Sequence, residues 1–402
     1  MFSFAVSAKD GRARRGQFNT PHGAVQTPAF MPVGTAGTVK GVHSEQLAET
    51  GAGMILANTY HLLLRPGPET VARLGGLHAM MGWDGPILTD SGGYQVFSLA
   101  HMRKIDDRAV VFRSHVDGSE VVLSPARAVE VQWMLGADVM MQLDECPPVE
   151  ADHAHVAEAV RRSADWAARC RTAWVATGCG ALRHLADEAD AAERPLRRLA
   201  DLPAPDPAAE RRQALFGIQQ GGVFDDLRAE SAARLAELDL PGYAVGGLSV
   251  GEGHEAMMGV LDDLDDQLPH PKPRYLMGVG EPRDILGAVA RGVDLFDCVL
   301  PTRNGRNAQA FTWAGRLRLR NSRFTADGRP IDPACGCAAC RRYSRGTIRH
   351  LFMAREMLGP ILVSLHNLHF FAELMAAIRS AIEEGTFDRQ RAEWLERMQS
   401  QP

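Results

Sequence analysis

The sequence predicts an α/β protein of eight alternating strands and helices that close into a (β/α)8 barrel. Its 402 residues suit one such barrel with an appendage, and hydrophobic residues make up 45% of the chain. Eight apolar runs alternate with helix-like stretches along the chain. The runs are rich in Val, Ile, Leu and Met without strict alternation, which is typical of parallel strands buried on both faces.

The predicted elements are bounded by glycine or polar turns. The strands are expected at residues 29–34, 53–60, 86–90, 138–144, 215–220, 243–248, 274–279 and 293–299. Helices are expected between most of them, among them 44–49, 124–135, 225–238, 255–264 and 281–291. An open doubly wound sheet is the alternative fold, but its phosphate fingerprint is represented only by the partial match Gly278-Val279-Gly280.

Two stretches interrupt the alternation of strands and helices. Residues 94–123 contain strand-like runs around Asp117-Gly118, a pair typical of hairpin turns, so we expect a hairpin inserted into the barrel. Residues 176–210 are rich in Ala, Arg, Asp and Pro and predict a surface helix with a loose loop. We therefore expect a barrel over 1–310, a smaller C-terminal subdomain over 311–384 and a tail over 385–402.

Polar residues gather where the predicted strands end. Asp90, Asp144 and Asp297 follow the third, fourth and eighth runs, and glycines follow the fifth, sixth and seventh. The carboxyl ends of barrel strands share one face, and barrel active sites lie there. A single aspartate at such a position could be a structural cap. Three that converge, beside glycines that let a ligand approach the backbone, predict an active site.

The charge distribution is uneven. The net charge of −5 does not suggest a nucleic-acid binder. Between residues 301 and 350, however, eleven arginines stand against only Asp327 and Asp332. This stretch is either a footprint for nucleic-acid phosphates or a solvated surface, and charge alone leaves both open.

The termini and hydropathy predict a cytoplasmic protein without a membrane segment. At the N-terminus, basic residues follow a very short apolar patch, which is the reverse of a secretory signal. We also expect no apolar run of membrane-spanning length.

A cysteine cluster predicts a zinc site. Cys335, Cys337 and Cys340 lie close together and are followed by His366. Three thiolates and one imidazole complete a tetrahedral Zn²⁺ shell with no open position, so we expect one structural zinc per chain. His350 and His369 are rival candidates for the fourth ligand.

Six motifs, in order along the chain, resemble those of the tRNA-guanine transglycosylase family, in particular its bacterial members. The resemblance covers about residues 2–384 and includes the Cys335/Cys337/Cys340/His366 set. The motifs are Asp90-Ser91-Gly92-Gly93-Tyr94-Gln95, Leu143-Asp144-Glu145-Cys146, Gly217-Ile218-Gln219-Gln220-Gly221-Gly222, Ala244-Val245-Gly246-Gly247-Leu248-Ser249-Val250-Gly251, Tyr275-Leu276-Met277-Gly278-Val279-Gly280 and Phe296-Asp297-Cys298-Val299-Leu300-Pro301-Thr302-Arg303.

This resemblance implies an irregular (β/α)8 barrel with a zinc-binding subdomain near the C-terminus. It implies the exchange of guanine at the anticodon wobble position of tRNA for 7-aminomethyl-7-deazaguanine, a step of queuosine biosynthesis, by a homodimer. The departure from the family is the stretch 176–210, which is longer than the family usually has there. That departure leaves local surface and partners in doubt, but it interrupts no motif.

The resemblance also implies roles for particular residues. Asp297 matches the nucleophile and Asp90 the general acid/base of a double displacement at the ribose. Arg303 and Arg306 match residues that hold tRNA phosphates. The residues that match the pocket for the 7-deazaguanine base are Ser91, Tyr94, Asp144, Cys146, Gln220, Gly247, Leu248, Val250 and Met277.

Two other classes of protein are alternatives to this enzyme. A metal-dependent barrel hydrolase needs ligands at the strand ends, such as His-x-His after the first strand, where Val33-Gly34-Thr35 stands here. A non-catalytic tRNA-binding homologue of the same fold should lack the catalytic aspartates, and both Asp90 and Asp297 are present. That homologue remains the alternative function.

Overall fold

A computed structural model describes residues 2–99, 103–178 and 213–399. Within these residues the strands form one closed barrel and three small sheets. From residue 179 onward, the expected insert at 176–210 lies outside the described residues. In chain order the strands are β1 (Ser3–Asp10), β2 (Ala13–Thr20), β3 (Gly23–Thr27), β4 (Ala29–Gly34), β5 (Ile55–Ala57), β6 (Ile87–Thr89), β7 (Arg103–Ile105), β8 (Val110–Arg113), β9 (Glu120–Leu123), β10 (Val139–Met141), β11 (Ala214–Gln219), β12 (Gly242–Val245), β13 (Arg274–Leu276), β14 (Leu295–Cys298), β15 (Gln309–Thr312) and β16 (Gly315–Arg318).

Helices connect these strands and continue beyond the barrel. In chain order they are α1 (Ser44–Glu49), α2 (Thr59–Leu64), α3 (Pro68–Arg73), α4 (Gly76–Met81), α5 (Gly93–Leu99), α6 (Pro125–Leu135), α7 (His153–Gly178), α8 (Asp225–Ala236), α9 (His254–Asp262), α10 (Leu264–Gln267), α11 (Pro282–Val289), α12 (Leu300–Arg306), α13 (Ala338–Arg342), α14 (Arg345–Met353), α15 (Leu358–Glu383) and α16 (Phe387–Gln399).

Eight parallel strands close into a barrel, which confirms the predicted fold class. Their order around the barrel is β4, β5, β6, β10, β11, β12, β13 and β14, and β14 pairs with β4 to close it. Every residue of β4 and β11 is buried, as the continuous apolar runs predicted. Because the strands are parallel, all eight carboxyl ends lie at the same face.

Several predicted strands are too long at their carboxyl ends. The run predicted over 53–60 is a strand only over Ile55–Ala57, and Tyr60 lies in α2. The cause is Asn58, whose side chain accepts a hydrogen bond from the backbone N–H of His61 and so begins the helix.

An antiparallel sheet of β1, β2 and β3 closes the amino end of the barrel, and the sequence analysis did not anticipate it. Phe18 of β2 is buried with the residues that fill the barrel interior, and its ring lies 5.7 Å from that of Phe216. Arg14, also of β2, forms a buried ion pair with Asp294, just before β14. The sheet therefore plugs the end of the barrel opposite the strand ends that carry the aspartates.

The predicted hairpin insertion is a three-stranded antiparallel sheet of β7, β8 and β9, preceded by α5. The Asp117-Gly118 turn joins β8 to β9, with Gly118 at a φ of +74° and its N–H donating to Ser114 O. The hydroxyl of Tyr60 lies 2.8 Å from Nδ1 of His115, which ties this sheet to α2 at the carboxyl face.

The long helix α15 corrects the expectation that no apolar stretch of membrane-spanning length exists. By length and composition alone, this 26-residue helix could cross a membrane. The mean hydropathy of its most apolar 18-residue window is 1.5. Of that window, 67% is buried inside the protein, where Phe371 packs against Phe30 of the barrel and Phe311 of β15. The apolar residues of α15 thus form the core between the barrel and the C-terminal region.

The N-terminal plug generates a stability prediction. Phe18→Ala should lower the free energy of unfolding by about 3–5 kcal/mol, because it leaves a cavity between the plug and the barrel interior. Denaturant unfolding measures the change. Leu74→Ala, at a side chain that is 56% exposed, is the matched control and should cost under about 0.5 kcal/mol. Equal effects of the two substitutions would contradict the role given to the plug.

Candidate active site and metal centre

Asp90 is buried at the carboxyl end of β6 and is held from both sides. Its Oδ1 accepts a hydrogen bond from the backbone N–H of Thr59 at 2.8 Å, and its Oδ2 accepts one from Asn58 Nδ2 at 2.5 Å. Burial, followed by the charges of Asp297 and Asp144, raises the pKa of Asp90 to about 7 against the bond from Thr59. Asp90 can therefore both release and accept a proton at neutral pH.

Asn58 and Thr59 are partners of Asp90 that were not predicted from the sequence. A signal was available, since two polar residues end an apolar run just as Asp90 ends the next. They were instead assigned to the strand itself.

Asp297 lies in β14, one residue before the end of the strand, and is close enough to Asp90 for its charge to raise the pKa of that group. Its Oδ1 accepts hydrogen bonds from the Tyr275 hydroxyl at 2.6 Å and from the backbone N–H of Gly278 at 2.7 Å. Burial raises the pKa of Asp297, and these two bonds oppose it. Burial, helped by the charge of Asp297, also raises the pKa of Tyr275 far above its usual value, so its hydroxyl stays a donor. Tyr275 was not among the predicted site residues.

Asp144 is buried beside this pair and is bonded to two other predicted site residues. Its Oδ1 accepts from Ser91 Oγ at 3.0 Å and its Oδ2 from Gln220 Nε2 at 2.7 Å. Burial raises the pKa of Asp144 to about 6, against the bonds from Gln220 and Ser91. A Cβ at Gly93 would lie 2.7 Å from the backbone oxygen of Asp144 and 3.0 Å from Oδ1, so only glycine fits there.

The segment after β12 is held by one carboxylate. Glu252 accepts hydrogen bonds from the backbone N–H groups of Ser249, Val250 and Gly251. Ser249 has a φ of +62°, a backbone conformation that residues other than glycine rarely adopt, and the bonds to Glu252 stabilise this conformation. Because the N–H of Ser249 points to Glu252, the carbonyl of Leu248 in the same peptide points the other way.

Other predicted pocket residues lie on loops and helices at the same face. Tyr94 is 50% exposed on α5, just after the Ser91 loop, and Met277 is half-buried after β13. Val250 is half-buried in the segment held by Glu252. Cys146 is also half-buried, and burial raises the pKa of its thiol to about 12, so the thiol is neutral.

The two arginines predicted to contact RNA lie on α12, which begins directly after β14 and Asp297. Arg303 is exposed and Arg306 is half-buried. Burial, followed by the nearby charge of Arg303, lowers the pKa of Arg306. The two cations therefore lie close together at the edge of the pocket.

A metal centre is formed by the four residues that the sequence predicted. His366 Nδ1 lies 3.6, 3.6 and 3.3 Å from the sulfurs of Cys335, Cys337 and Cys340. The other ring nitrogen of His366 lies 2.8 Å from the carbonyl oxygen of Phe311, which leaves Nδ1 facing the thiols. Three sulfurs and one nitrogen within 4.8 Å of one another suit a tetrahedral metal ion.

The rival histidines are less suited to this centre. His350 is exposed and belongs to none of the possible ligand groups of the described chain. His369 can approach Cys335, but its Nε2 lies 3.1 Å from Glu373. Only His366 faces all three thiols.

Possible metal ligands also bear on the hydrolase alternative. The described residues hold three groups suited to a metal ion, and none includes Asp90, Asp144 or Asp297. The buried carboxylates are instead occupied by hydrogen-bond donors of the chain.

Fold and site together define a (β/α)8-barrel enzyme with a carboxylate pair at its catalytic face and a separate thiolate–histidine metal centre. Residues 9–400 match the family model described as queuine tRNA-ribosyltransferase. The chain belongs to the queuine tRNA-ribosyltransferase family, as its motifs suggested.

Curated relatives with that name are similar over nearly the whole chain. One from Cereibacter sphaeroides is 52% identical over 384 residues, which are 96% of this chain and 93% of the relative. Relatives from Sphingopyxis alaskensis and Caulobacter vibrioides are 50% and 49% identical over 396 and 397 residues, which are 98% of each chain.

Proposed function

We propose that this protein exchanges guanine at the wobble position of tRNAs with GUN anticodons, those for Asp, Asn, His and Tyr, for 7-aminomethyl-7-deazaguanine in queuosine biosynthesis. Family membership makes it a tRNA-guanine transglycosylase, a pentosyltransferase. The carboxylate pair of Asp90 and Asp297 at the carboxyl face is the observation that carries the proposal. A non-catalytic homologue would not need this pair.

Asp297 is the nucleophile in this proposal. The old and new glycosidic bonds have the same configuration, so two inversions at C1′ are the simple route. Both donors to Asp297, the Tyr275 hydroxyl and the Gly278 N–H, contact Oδ1. We assign the attack on C1′ to Oδ2. Guanine then leaves, and a covalent ribosyl–enzyme waits for the second base.

Asp90 moves the protons in this proposal. A departing guanine needs a proton, and the incoming base must lose one. The pKa of about 7 supports one carboxyl group in both tasks, first as acid and then as base.

Asp144 and Gln220 are placed to read the Watson–Crick edge of the base. With a pKa of about 6, Asp144 is mostly ionised at neutral pH and can accept from N1–H and the exocyclic amine of guanine. Gln220 and the backbone N–H of Gly247 would donate to O6. Tyr94 and Met277 would cover the two faces of a base splayed out of the anticodon loop.

The 7-position of the base would meet the segment held by Glu252. The carbonyl of Leu248 points away from Glu252 and would accept from the aminomethyl ammonium. Val250 and Cys146 would limit the volume there, which favours the aminomethyl base over queuine with its cyclopentenediol. Ser91 supports the pocket through its bond to Asp144.

The surroundings of the site support tRNA as the partner. Arg303 and Arg306, on the helix that follows Asp297, would hold phosphates on either side of the exchanged nucleotide. We further propose a homodimer with a zinc-binding subdomain, as the family resemblance implies, and a cytoplasmic location, as the N-terminal sequence predicts. The proposed bounds are 1–310 for the barrel and 311–384 for the subdomain.

We propose Zn²⁺ as the ion of the metal centre, one per chain. Cys335, Cys337, Cys340 and His366 would hold it, and thiolates select such a thiophilic ion. When bound, the ion would contribute folding free energy to the C-terminal region and take no part in the exchange.

The first test concerns base exchange itself. With unmodified tRNA and radiolabelled guanine, the wild type should place label in the tRNA. Asp297→Asn should place none and form no covalent adduct, because an amide cannot attack C1′. Asp239→Asn, at a side chain that is 84% exposed, is the control and should behave as the wild type. A covalent enzyme–tRNA adduct of Asp297→Asn on a denaturing gel would refute the assignment of Asp297 as the nucleophile.

The second test is the pH dependence of covalent adduct formation. The acid form of Asp90 exists below its pKa of about 7, so the rate should fall up to about tenfold per pH unit above pH 7. The ionised form of Asp144 exists above its pKa of about 6, so the rate should also fall below pH 6. Single-turnover trapping between pH 5 and 9 measures both limbs.

A matched variant separates the two limbs. Asp144→Asn should lower the overall rate and remove the part of the acid limb that Asp144 contributes, while it keeps the alkaline limb. Any acid limb that remains then reports the ionisation of Asp297, whose pKa burial also raises. A wild-type rate that stays flat from pH 7 to 9 would rule out Asp90 as the acid.

The third test concerns the metal. Elemental analysis should find one zinc per chain in the wild type. Cys337→Ser should lose the zinc and lower the thermal unfolding midpoint, because metal binding here stabilises the folded state. Cys170→Ser, at a buried cysteine outside the cluster, should keep one zinc. Full zinc content in Cys337→Ser would refute the ligand set.

A further inference from the structure

Arg228 is a buried cation beside the base pocket. It lies on α8, which begins just after the Gln219-Gln220-Gly221-Gly222 loop, and it is 1% exposed. Burial lowers its pKa to about 10, so it remains charged at neutral pH. No carboxylate of the described chain forms an ion pair with it, and Glu252 is the carboxylate whose charge acts on it. An unpaired buried charge is costly, and such groups cluster at functional sites.

Two of the guanidinium nitrogens hold the loop that carries Gln220. Nε donates to Gly222 O at 2.8 Å and Nη1 donates to Gln219 O at 3.1 Å. A Cβ at Gly221 would lie 2.8 Å from the backbone nitrogen of Arg228, so the loop and the helix are in close contact. The third nitrogen, Nη2, is buried without a hydrogen-bond partner.

The carboxamide of Gln220 has a matching unpaired atom. Its Nε2 donates to Asp144 Oδ2, while its Oε1 is buried without a partner. A Cβ placed on Gly247 would lie 2.5 Å from Gln220 Oε1 and 3.7 Å from Arg228 Nη2. The unpaired acceptor and the unpaired donor therefore border the same small space beside Gly247.

Two neighbours select which way the carboxamide faces, namely the carboxylate of Asp144, which accepts from its NH₂ group, and the guanidinium of Arg228 on the opposite side. A carboxamide has nearly the same shape in both orientations, so its surroundings select one of them. A guanidinium in a low-dielectric interior attracts the carbonyl oxygen and repels the NH₂ group. The NH₂ group is then directed to the other side, where Asp144 and the base lie.

We propose that Arg228 is a positioning residue that determines base specificity by keeping the NH₂ group of Gln220 toward the base. This rests on the proposed function. An NH₂ group at this place donates to an oxygen at position 6 of the purine. The reversed carboxamide would present an acceptor, which suits a purine with an amine at position 6. The charge of Arg228 thereby favours 6-oxo over 6-amino purines, although it touches neither.

The test compares guanine with 2,6-diaminopurine, which has an amine at position 6. Incorporation of each base into tRNA and calorimetric binding of each to the enzyme are both measured. Arg228→Met should reduce the preference for guanine by about tenfold or more, because one hydrogen-bonding partner at O6 is no longer fixed. Arg234→Met, on the same helix at a side chain that is 41% exposed, is the matched control and should keep the wild-type preference.

A double-substitution cycle separates this role from support of the loop. In a Gln220→Ala background, Arg228→Met should change the preference no further, because there is no carboxamide left to orient. Should Arg228→Met not fold, Arg228→Lys and Arg228→Gln provide the comparison. Lysine keeps the charge and should keep the preference within about threefold, while glutamine should lose it.

Each outcome bears on one proposal. An unchanged preference in folded Arg228→Met, or the same further loss in the Gln220→Ala background, overturns the role of Arg228. A wild type that exchanges no guanine overturns the proposed function instead. In that case the binding measurements still decide whether Arg228 selects the 6-oxo base.

Discussion

Burial of three carboxylates at one end of a closed barrel is the constraint on which the rest of the site depends. Eight parallel strands bring their carboxyl ends to one face, and Asp90, Asp144 and Asp297 lie at or near the ends of three of them. Removal from water disfavours the charged form of each group, and burial is the largest cause that raises the pKa in all three. The fold therefore creates unfavourable charge burial, and the neighbouring donors determine what each carboxyl group can do.

Those donors differ from one aspartate to the next. Asp297 receives a hydroxyl and a backbone N–H on one oxygen, an arrangement that stabilises a carboxylate and leaves its other oxygen for attack. Asp144 receives side-chain donors from Ser91 and Gln220, and its pKa of about 6 keeps it an acceptor at neutral pH. At Asp90 the charges of the other two carboxylates add to the effect of burial, and the resulting pKa of about 7 suits proton transfer. Similar residues thus acquire separate tasks from their surroundings.

The barrel and the three aspartates could be predicted from the sequence because both leave local signals, namely continuous apolar runs and polar residues at their ends. The roles of Asn58, Thr59 and Tyr275 could not be predicted, because each acquires its role by approaching an aspartate from a different strand. Strand ends were misjudged where a side chain changes the backbone path, as Asn58 does when it begins α2. The plug of β1 to β3 was missed for the same reason, since its burial depends on the distant barrel interior that receives Phe18.

The metal centre has a structural connection to the catalytic face although it shares no residue with it. Phe311 of β15 is held on both sides by α15, with its carbonyl bonded to His366 and its N–H donating to Asn367. Asn367 also donates to the carbonyls of Pro301 and Gln309, at the two ends of the segment that contains α12. A Cβ at Gly305 would lie 2.7 Å from the backbone of Ser364, so α12 and α15 are in close contact. Because α12 follows β14 directly, an ion that fixes His366 would also stabilise the helix that carries Arg303 and Arg306, the two arginines proposed to hold phosphates. A closed metal shell would in this way support the proposed binding of tRNA without contacting it.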